Sequence, residues 1–187
     1  MRIIGGNFKG KKVFQPLDKT TRPLKDLVKE SIFNILQHSN KFMFKIEKSN
    51  VLDLFSGVGS FGIECLSRNV KFLTFVENHS NALSILKKNL NNLKGIKNFM
   101  IIDEDVYKKN CLNNLNTKFD LIFIDPPYSQ ENIEEIFELI LEAKILETNG
   151  ILIIHRSKKK SEKLPKFLKI VEQKTYGISK IMFLKLV

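Results

Sequence analysis

Cysteines are scarce in this chain, and long apolar runs are missing from it. The two cysteines among 187 residues, Cys65 and Cys111, lie far apart and form no Cys-x-x-Cys pair. This spacing argues against a disulfide framework and against a zinc site, so no metal is expected. No run reaches the roughly 18 apolar residues that a membrane span needs, and the first residues lack the apolar stretch of a signal peptide. We therefore expect a reduced, cytoplasmic protein that does not enter a membrane.

Positive charge is abundant but unevenly distributed. The net charge is +11. Residues 1–48 contain eleven Lys/Arg against four Asp/Glu, residues 49–155 contain ten against fourteen, and residues 156–187 contain ten against two. Compositional bias alone would spread the lysines more evenly. Two basic ends around a mildly acidic centre therefore favour a polyanionic partner such as nucleic acid.

Strand-like and helix-like segments alternate from residue 51 onwards, which predicts an α/β fold. Continuous apolar strands indicate a mostly parallel sheet that is covered by helices on both faces. A closing pair of strands predicts a C-terminal antiparallel hairpin, and the lysine-rich start predicts a basic arm or hairpin. We expect one globule with the arm and a first helix in residues 1–48 and the core in residues 49–187. The predicted strands are 51–55, 71–77, 98–102, 119–125, 150–154, 168–176 and 181–187, and the predicted helices are one opening at 21–23, then 61–68, 79–93, 105–115 and 131–145.

The first predicted helix has one apolar face. Helical spacing places its apolar side chains on one side, and the notable polar neighbour, Lys29, is expected on another side. The apolar set is Leu24, Leu27, Val28, Ile32, Ile35 and Leu36.

The turn after the first core strand is typical of a cofactor loop. Gly57 and Gly59 permit a tight turn and a close backbone approach, and ligands of open α/β sheets bind beyond the carboxyl ends of the strands. The next two strands end in Glu77 and run into Asp105. Gly57-x-Gly59-x-x-Gly62 followed by Glu77 also satisfies the dinucleotide fingerprint, so an NAD-dependent oxidoreductase competes with other interpretations.

Asp53, which precedes these glycines, favours S-adenosylmethionine over a dinucleotide. A carboxylate at the mouth of the turn repels a diphosphate and attracts the ammonium of an amino-acid moiety. S-adenosylmethionine carries such an ammonium and no phosphate. Glu77 would then hold the ribose hydroxyls and Asp105 would face the adenine amine, while Phe55 belongs to the same loop. The alternative role for Asp53 is that of an acid capping the following helix.

The tetrapeptide Asp125-Pro126-Pro127-Tyr128 ends an apolar strand and predicts the reacting centre. The prolines lack an N–H and have a fixed φ, so this segment is stiff. A carboxylate and a carbonyl accept hydrogen bonds from an amino group, and an aromatic ring stacks on a flat partner. The combination suits the exocyclic amine of a nucleobase, although Asp-Pro and Pro-Pro are also ordinary turn signals.

With both motifs in place, the chain resembles the class I S-adenosylmethionine-dependent methyltransferases, and more narrowly the RsmD family. The resemblance runs nearly end to end, and the arm and first helix narrow it, because the Asp-Pro-Pro-Tyr motif is shared with adenine methyltransferases. The matching segments are Arg2-Ile3-Ile4-Gly5-Gly6, the Lys-Gly-Lys-Lys run at 9–12, Thr21-Arg22-Pro23 through Val28-Lys29-Glu30 to Phe33-Asn34, Asp53 to Gly62, Asp125 to Tyr128, and Tyr176-Gly177. The departures from the family pattern are Leu24, Lys29, Asn78 and the pair His155-Arg156.

This resemblance implies a Rossmann-like fold and transfer of a methyl group to N2 of one guanine in bacterial small-subunit (16S) ribosomal RNA. It implies roles for Asp125 and the Pro126 carbonyl in orienting the amine, and for Tyr128 in stacking on an extruded base. The substrate would be RNA within the small-subunit (30S) particle, and the enzyme is expected to be a monomer. The expected phosphate contacts are Arg2, Lys9, Lys11, Lys12, Arg22, Lys158, Lys159 and Lys160.

Three other functions compete with this one. An adenine-N6 methyltransferase acting on DNA or another RNA would share the Asp-Pro-Pro-Tyr motif. A non-catalytic RNA-binding module would keep the fold, and an NAD-dependent oxidoreductase would keep the glycine turn. Cofactor identity and nucleoside analysis of the product separate these alternatives.

Overall fold

A computed structural model describes residues 1–16, 24–108, 110–127, 129–130 and 132–187, and within them the chain forms a single seven-stranded sheet. The sheet order is β3-β2-β1-β4-β5-β7-β6. The strands are β1 (Asn50–Leu54), β2 (Phe72–Val76), β3 (Phe99–Ile102), β4 (Phe119–Ile124), β5 (Leu146–Ser157), β6 (Leu168–Tyr176) and β7 (Ser179–Leu186). The helices are α1 (Asp26–His38), α2 (Ser60–Ser67), α3 (Ser80–Asn91) and α4 (Ile133–Glu142), with a short 3-10 helix at Ile46–Lys48.

The chain reverses its direction of travel across the sheet between β1 and β4. β2 and β3 lie on one side of β1, whereas β4 and β5 lie on the other side, and these five strands are parallel. Ligands of such sheets bind beyond the carboxyl ends of the strands at this switch point. The β6–β7 hairpin then closes the sheet in antiparallel pairing with β5, so the predicted fold class is confirmed.

Two apolar layers cover the sheet, because side chains alternate between its faces. Val51, Phe123 and Ile153 point into the layer that contains α1, α2, α3 and the N-terminal arm. Leu52 and Ile154 point into the layer that contains α4. None of the helices within the described ranges is long and apolar enough to cross a membrane.

The N-terminal arm is a small hairpin that docks on α2. Arg2 pairs with Lys12 across the hairpin, and the Ile3 amide donates to the Lys11 carbonyl at 2.9 Å. Gly6 has a φ of +74°, and a Cβ atom at this position would lie 1.9 Å from the Ser67 carbonyl oxygen. Only glycine fits this close approach, which explains why the turn of the arm contains it.

A buried set of charges, which we call the arm cluster (Lys29, Glu64 and Arg68), joins the arm to α2. The Glu64 carboxylate lies 3.8 Å from the Lys29 ammonium and 3.1 Å from Arg68 Nε, and it accepts the Ile4 amide at 2.8 Å. Lys29 also donates to the Arg2 carbonyl at 2.7 Å. The expectation that Lys29 lies away from the buried face of α1 is therefore wrong, because its charge is met by Glu64 inside the core.

Three other sequence expectations need correction. The segment 105–115 forms turns instead of a helix in its described residues. Its asparagines, Asn110, Asn113 and Asn114, favour turns because their side chains compete with backbone hydrogen bonds. Leu27, expected on the apolar face of α1, is 63% exposed. β5 is longer than the predicted strand 150–154 and reaches Ser157, so His155 and Arg156 are strand residues.

Candidate active site

A cavity of about 460 Å³ opens beyond the carboxyl ends of the strands at the switch point. The pleat directs side chains of three neighbouring strands into it, because Asp53 is paired with Phe123 and Phe123 with Ile153. Two residues beyond this pair, Asp125, which directly follows β4, and His155, which is in β5, line the same cavity. Other walls come from the β1–α2 turn, the end of β2 and the residues Gln15, Pro16 and Leu24.

Asp53 lies at the floor of this cavity. It is 2% exposed, and its Oδ2 accepts the backbone amide of Gly62 at 3.0 Å. Burial raises the pKa of its carboxyl well above the ordinary value, and the negative charges of Asp125 and Glu77 raise it further. A bound cation would offset the cost of ionising this buried carboxyl, so the floor of the cavity is suited to a cationic group.

Glu77 is fixed at the end of β2 by backbone amides. Its Oε2 accepts the amide of Gly57 at 2.7 Å, and its Oε1 accepts the amides of Asn78 and His79 at 3.0 and 2.8 Å. The carboxylate therefore braces the glycine turn against the start of α3 while it lines the cavity. Gly57 and Gly59 both have positive φ, and a Cβ at Gly59 would lie 2.5 Å from Leu86.

A smaller lobe of about 180 Å³ adjoins the cavity and shares Phe55 and Glu77 with it. Asp105, which was expected to face the adenine amine, lines this lobe, and its Oδ1 accepts the Tyr107 amide at 3.0 Å. The centroids of the Tyr107 and Phe55 rings are 6.2 Å apart. Burial raises the pKa of Tyr107 to about 12, so its phenol stays neutral and donates to the Asn132 carbonyl. Tyr107 was not found from the sequence, because its segment was interpreted as a helix.

The Asp125-Pro126-Pro127 segment continues directly from β4. The Asp125 amide donates to the Leu54 carbonyl at 3.3 Å, which holds the segment against the end of β1. The Asp125 carboxylate lies 2.8 Å from His155 Nδ1, and His155 is itself buried. Tyr128 lies outside the described residues.

Sequence reasoning did not assign a role to His155 or Arg156, although it noted that they depart from the family pattern. His155 contacts Asp125 on one face of the sheet. Arg156, on the other face, contacts the backbone of the segment that follows Pro126. Part of this arrangement could have been predicted from the sequence, because a buried strand that ends in two polar residues directs their side chains to opposite faces of the sheet.

The predicted phosphate contacts lie on two different elements. Arg2, Lys9, Lys11 and Lys12 are on the arm hairpin, where Lys11 also donates to the Asn92 carbonyl at 3.2 Å. Lys158, Lys159 and Lys160 are on the connection between β5 and β6. Arg22 lies outside the described residues.

Comparison with known proteins agrees with this geometry. The model of the family described as conserved hypothetical protein 95 matches residues 1–185. The ribosomal RNA small subunit methyltransferase D of Haemophilus influenzae is 33% identical over 183 residues, which cover 95% of this chain and 90% of that protein. The protein of the same name from Buchnera aphidicola (from Acyrthosiphon pisum) is 34% identical over 168 residues, or 88% of this chain and 82% of that one.

Solved structures give the same result. A candidate methylase from Haemophilus influenzae, HI0767, superposes with a TM-score of 0.77 at 30% identity, and the match covers all of this chain and 98% of that one. A match that spans nearly the whole chain in sequence and in structure identifies the family rather than the fold alone. The chain therefore belongs to the family described as conserved hypothetical protein 95, the family of methyltransferases that includes ribosomal RNA small subunit methyltransferase D.

Proposed function

We propose that this enzyme transfers a methyl group from S-adenosylmethionine to the exocyclic N2 amine of a guanine in 16S ribosomal RNA. The observation that supports this most directly is the Asp125 carboxylate, oriented by His155 in the same cavity as the buried Asp53. One cavity thus contains a carboxylate that can accept a hydrogen bond from an amine, Asp125, and a buried carboxylate that can bind a cation, Asp53. The names of the relatives point to small-subunit ribosomal RNA as the substrate.

The residues of the cavity fit S-adenosylmethionine better than a dinucleotide. Asp53, Glu77 and Asp125 are three acids in one space, which disfavours a diphosphate and favours an ammonium and a sulfonium. Asp53 would hold the ammonium and Glu77 the ribose hydroxyls. Phe55, Asp105 and Tyr107 would hold the adenine in the smaller lobe, and Gly57 and Gly59 would allow close approach of the backbone.

When bound, S-adenosylmethionine would supply an electrophilic methyl group on its sulfonium and would leave as S-adenosylhomocysteine, while the methylated nitrogen would lose its proton to solvent. The Asp125 carboxylate accepts a hydrogen bond from the guanine amine, whose lone pair is delocalised into the ring, and points it towards that group. The same carboxylate stabilises the positive charge that develops on the nitrogen. His155 keeps Asp125 in one orientation, while the Pro126 carbonyl is a second acceptor and Tyr128 stacks on the base.

RNA binding is divided between the two basic elements. The arm lysines and Lys158–Lys160 hold phosphates, which positions the RNA without reading its sequence. Stacking of the extruded base is worth about 1–3 kcal/mol, which offsets part of the few kcal/mol that base flipping costs. We propose a cytoplasmic monomer that acts on the assembled or assembling 30S particle.

The first experiment measures transfer from labelled S-adenosylmethionine to small ribosomal subunits of a strain that lacks its own enzyme, followed by nucleoside analysis. We expect label in N2-methylguanosine. Asp125→Ala should lower the rate at least about 100-fold, because it removes the group that stabilises the developing charge. Asp103→Ala is the control, since Asp103 is an exposed acid just after β3.

The product decides between the competing targets. Label in N6-methyladenosine would overturn the guanine assignment and keep the amine chemistry, because Asp125 accepts a hydrogen bond from either base. Near-normal turnover of Asp125→Ala would contradict the role of this carboxylate.

A further inference from the structure

The end of β5 carries a buried guanidinium directly beside the catalytic loop, by which we mean residues 125–127 and 129–130. Arg156 is 1% exposed and points to the face opposite His155, into the layer that contains α4. Burial of a charge is costly unless hydrogen bonds and an opposite charge compensate for it. The groups that contact Arg156 therefore indicate which part of the structure it stabilises.

Two of these partners are carbonyls of the catalytic loop. Arg156 Nη2 donates to the Gln130 carbonyl at 2.6 Å, and Nη1 lies 3.4 Å from the Pro127 carbonyl. The Gln130 amide donates to the same Pro127 carbonyl at 2.9 Å. One guanidinium thus contacts two backbone carbonyls of the catalytic loop, those of Pro127 and Gln130.

The third partner is Glu162, which connects this arrangement to the basic β5–β6 connection. Glu162 Oε1 accepts Arg156 Nε at 3.2 Å, and its Oε2 accepts Lys180 Nζ at 2.6 Å. Arg156 and Lys180 are direct cross-strand neighbours, so Glu162 offsets the repulsion between two cations. Lys180 also donates to the Lys160 carbonyl at 2.5 Å.

We propose that Arg156 is a positioning residue for methyl transfer: its guanidinium sets the geometry of the catalytic loop and, through Glu162 and Lys180, ties that loop to the connection carrying Lys158–Lys160. Asp125 and Pro126 can align an amine only if the turn that follows them is held in place. A misplacement of about 1 Å can lower a rate 100-fold. This inference rests on the proposed function, which places methyl transfer at Asp125 and Pro126.

A lysine cannot replace this group. The guanidinium contacts three acceptors through three different nitrogens, whereas an ammonium on a flexible stem presents one point charge. Arg156→Lys keeps a positive charge beside Glu162, so we expect it to fold and to hold the loop poorly. Arg156→Met removes the charge and leaves Glu162 paired with Lys180.

The experiment uses the full-length protein and two readouts. In steady-state transfer to small subunits, both variants should lower kcat about 10- to 100-fold, while Kd for S-adenosylmethionine changes less than about 2-fold, because Arg156 hydrogen-bonds to Glu162, Pro127 and Gln130 and to none of the residues assigned to that ligand. In NMR-detected hydrogen exchange, the Gln130 amide should exchange faster in both variants, whereas the Gly57 amide, bound to Glu77, should not change. Lys174→Met, an exposed residue on β6 that pairs with Glu172, is the control.

Each outcome bears on the proposal. If kcat and Gln130 exchange in Arg156→Lys equal those of the parent, Arg156 contributes only to stability and the proposal is overturned. If Tm falls but both readouts at a temperature well below Tm stay at parent values, the same conclusion holds. A parent enzyme that methylates no guanine would refute the proposed function instead, and the exchange result would still test the hold on the loop.

Discussion

Buried carboxylates occur in two kinds of surroundings in this protein. Glu64, under the arm, lies between Lys29 and Arg68, and Glu162, beside the catalytic loop, lies between Arg156 and Lys180. Asp53 is equally buried, but the charges that act on it are those of Asp125 and Glu77, which are also acids. The first two carboxylates are compensated by the protein itself, whereas the third faces a cavity.

The same residue type thus serves stability in one region and, under the proposed function, ligand binding in another. A buried acid between cations holds parts of the chain together, since removing either partner leaves an uncompensated charge. A buried acid beside other acids is unfavourable until a cation arrives. Strongly perturbed groups of this kind in a cleft mark functional sites.

The largest predicted effect concerns the arm cluster. Lys29→Met leaves the Glu64 carboxylate buried with Arg68 as its remaining cation, and it removes the donor to the Arg2 carbonyl. We expect the free energy of unfolding to fall by about 3–5 kcal/mol, measured by urea denaturation, with kcat per folded molecule unchanged.

Lys41→Met is the matched control for that experiment. It breaks a pair with Glu172 in which the lysine side chain is 51% exposed, so stability should change by less than ~1 kcal/mol. Equal losses in the two variants would show that burial of Glu64 does not distinguish the arm cluster from a surface ion pair.

A smaller effect of opposite sign is predicted at the cavity floor. Folding raises the pKa of Asp53 because the ionised form is buried. Stability is therefore lost as pH rises from the unfolded pKa, about 3.9, towards the folded pKa. Asp53→Asn removes this loss while its amide oxygen can still accept the Gly62 amide, so thermal melts of the variant and parent should coincide near pH 3 and diverge in favour of the variant at neutral pH.

The same substitution should weaken binding of S-adenosylmethionine by roughly 1.5–3 kcal/mol, the usual worth of a hydrogen bond to a charged group, measured by calorimetry. A gain in affinity, or a variant less stable than the parent at pH 7, would contradict the assignment of Asp53 as the buried carboxylate that binds the ammonium of S-adenosylmethionine.

The smallest effect concerns cations that are exposed instead of buried. Replacing Lys9, Lys11 and Lys12 with Ala should leave stability nearly unchanged and reduce the slope of log affinity for RNA against log salt by about 2. The control triple is Lys71, Lys97 and Lys118, which are exposed at the amino ends of β2, β3 and β4, at the opposite edge of the sheet from the cavity. An equal change in the control would show that net charge, rather than the arm, sets the slope.

Much of the fold and part of the site were predictable from local patterns. Apolar runs identified the parallel strands, and Asp53, Glu77 and Asp105 were predicted to face one crevice because ligands bind beyond the carboxyl ends of such strands. The turn segment that contains Tyr107 was missed, since its few apolar residues mimic a helix when asparagine propensities are ignored. The prediction for Lys29 was wrong because helical spacing shows which residues share a face of a helix. It does not show that Lys29 pairs with a buried carboxylate, that of Glu64.

The residues themselves determined the order of strands and helices, the glycine turn and the acids at the strand ends, because these depend on neighbours along the chain. Only the tertiary structure decided which charges meet. His155 and Asp125 are 30 residues apart, and Arg156 lies 29 and 26 residues from the carbonyls that it holds. Such pairs depend on strand register and on the face to which each side chain points, and a shift of one residue along a strand would exchange His155 with Arg156.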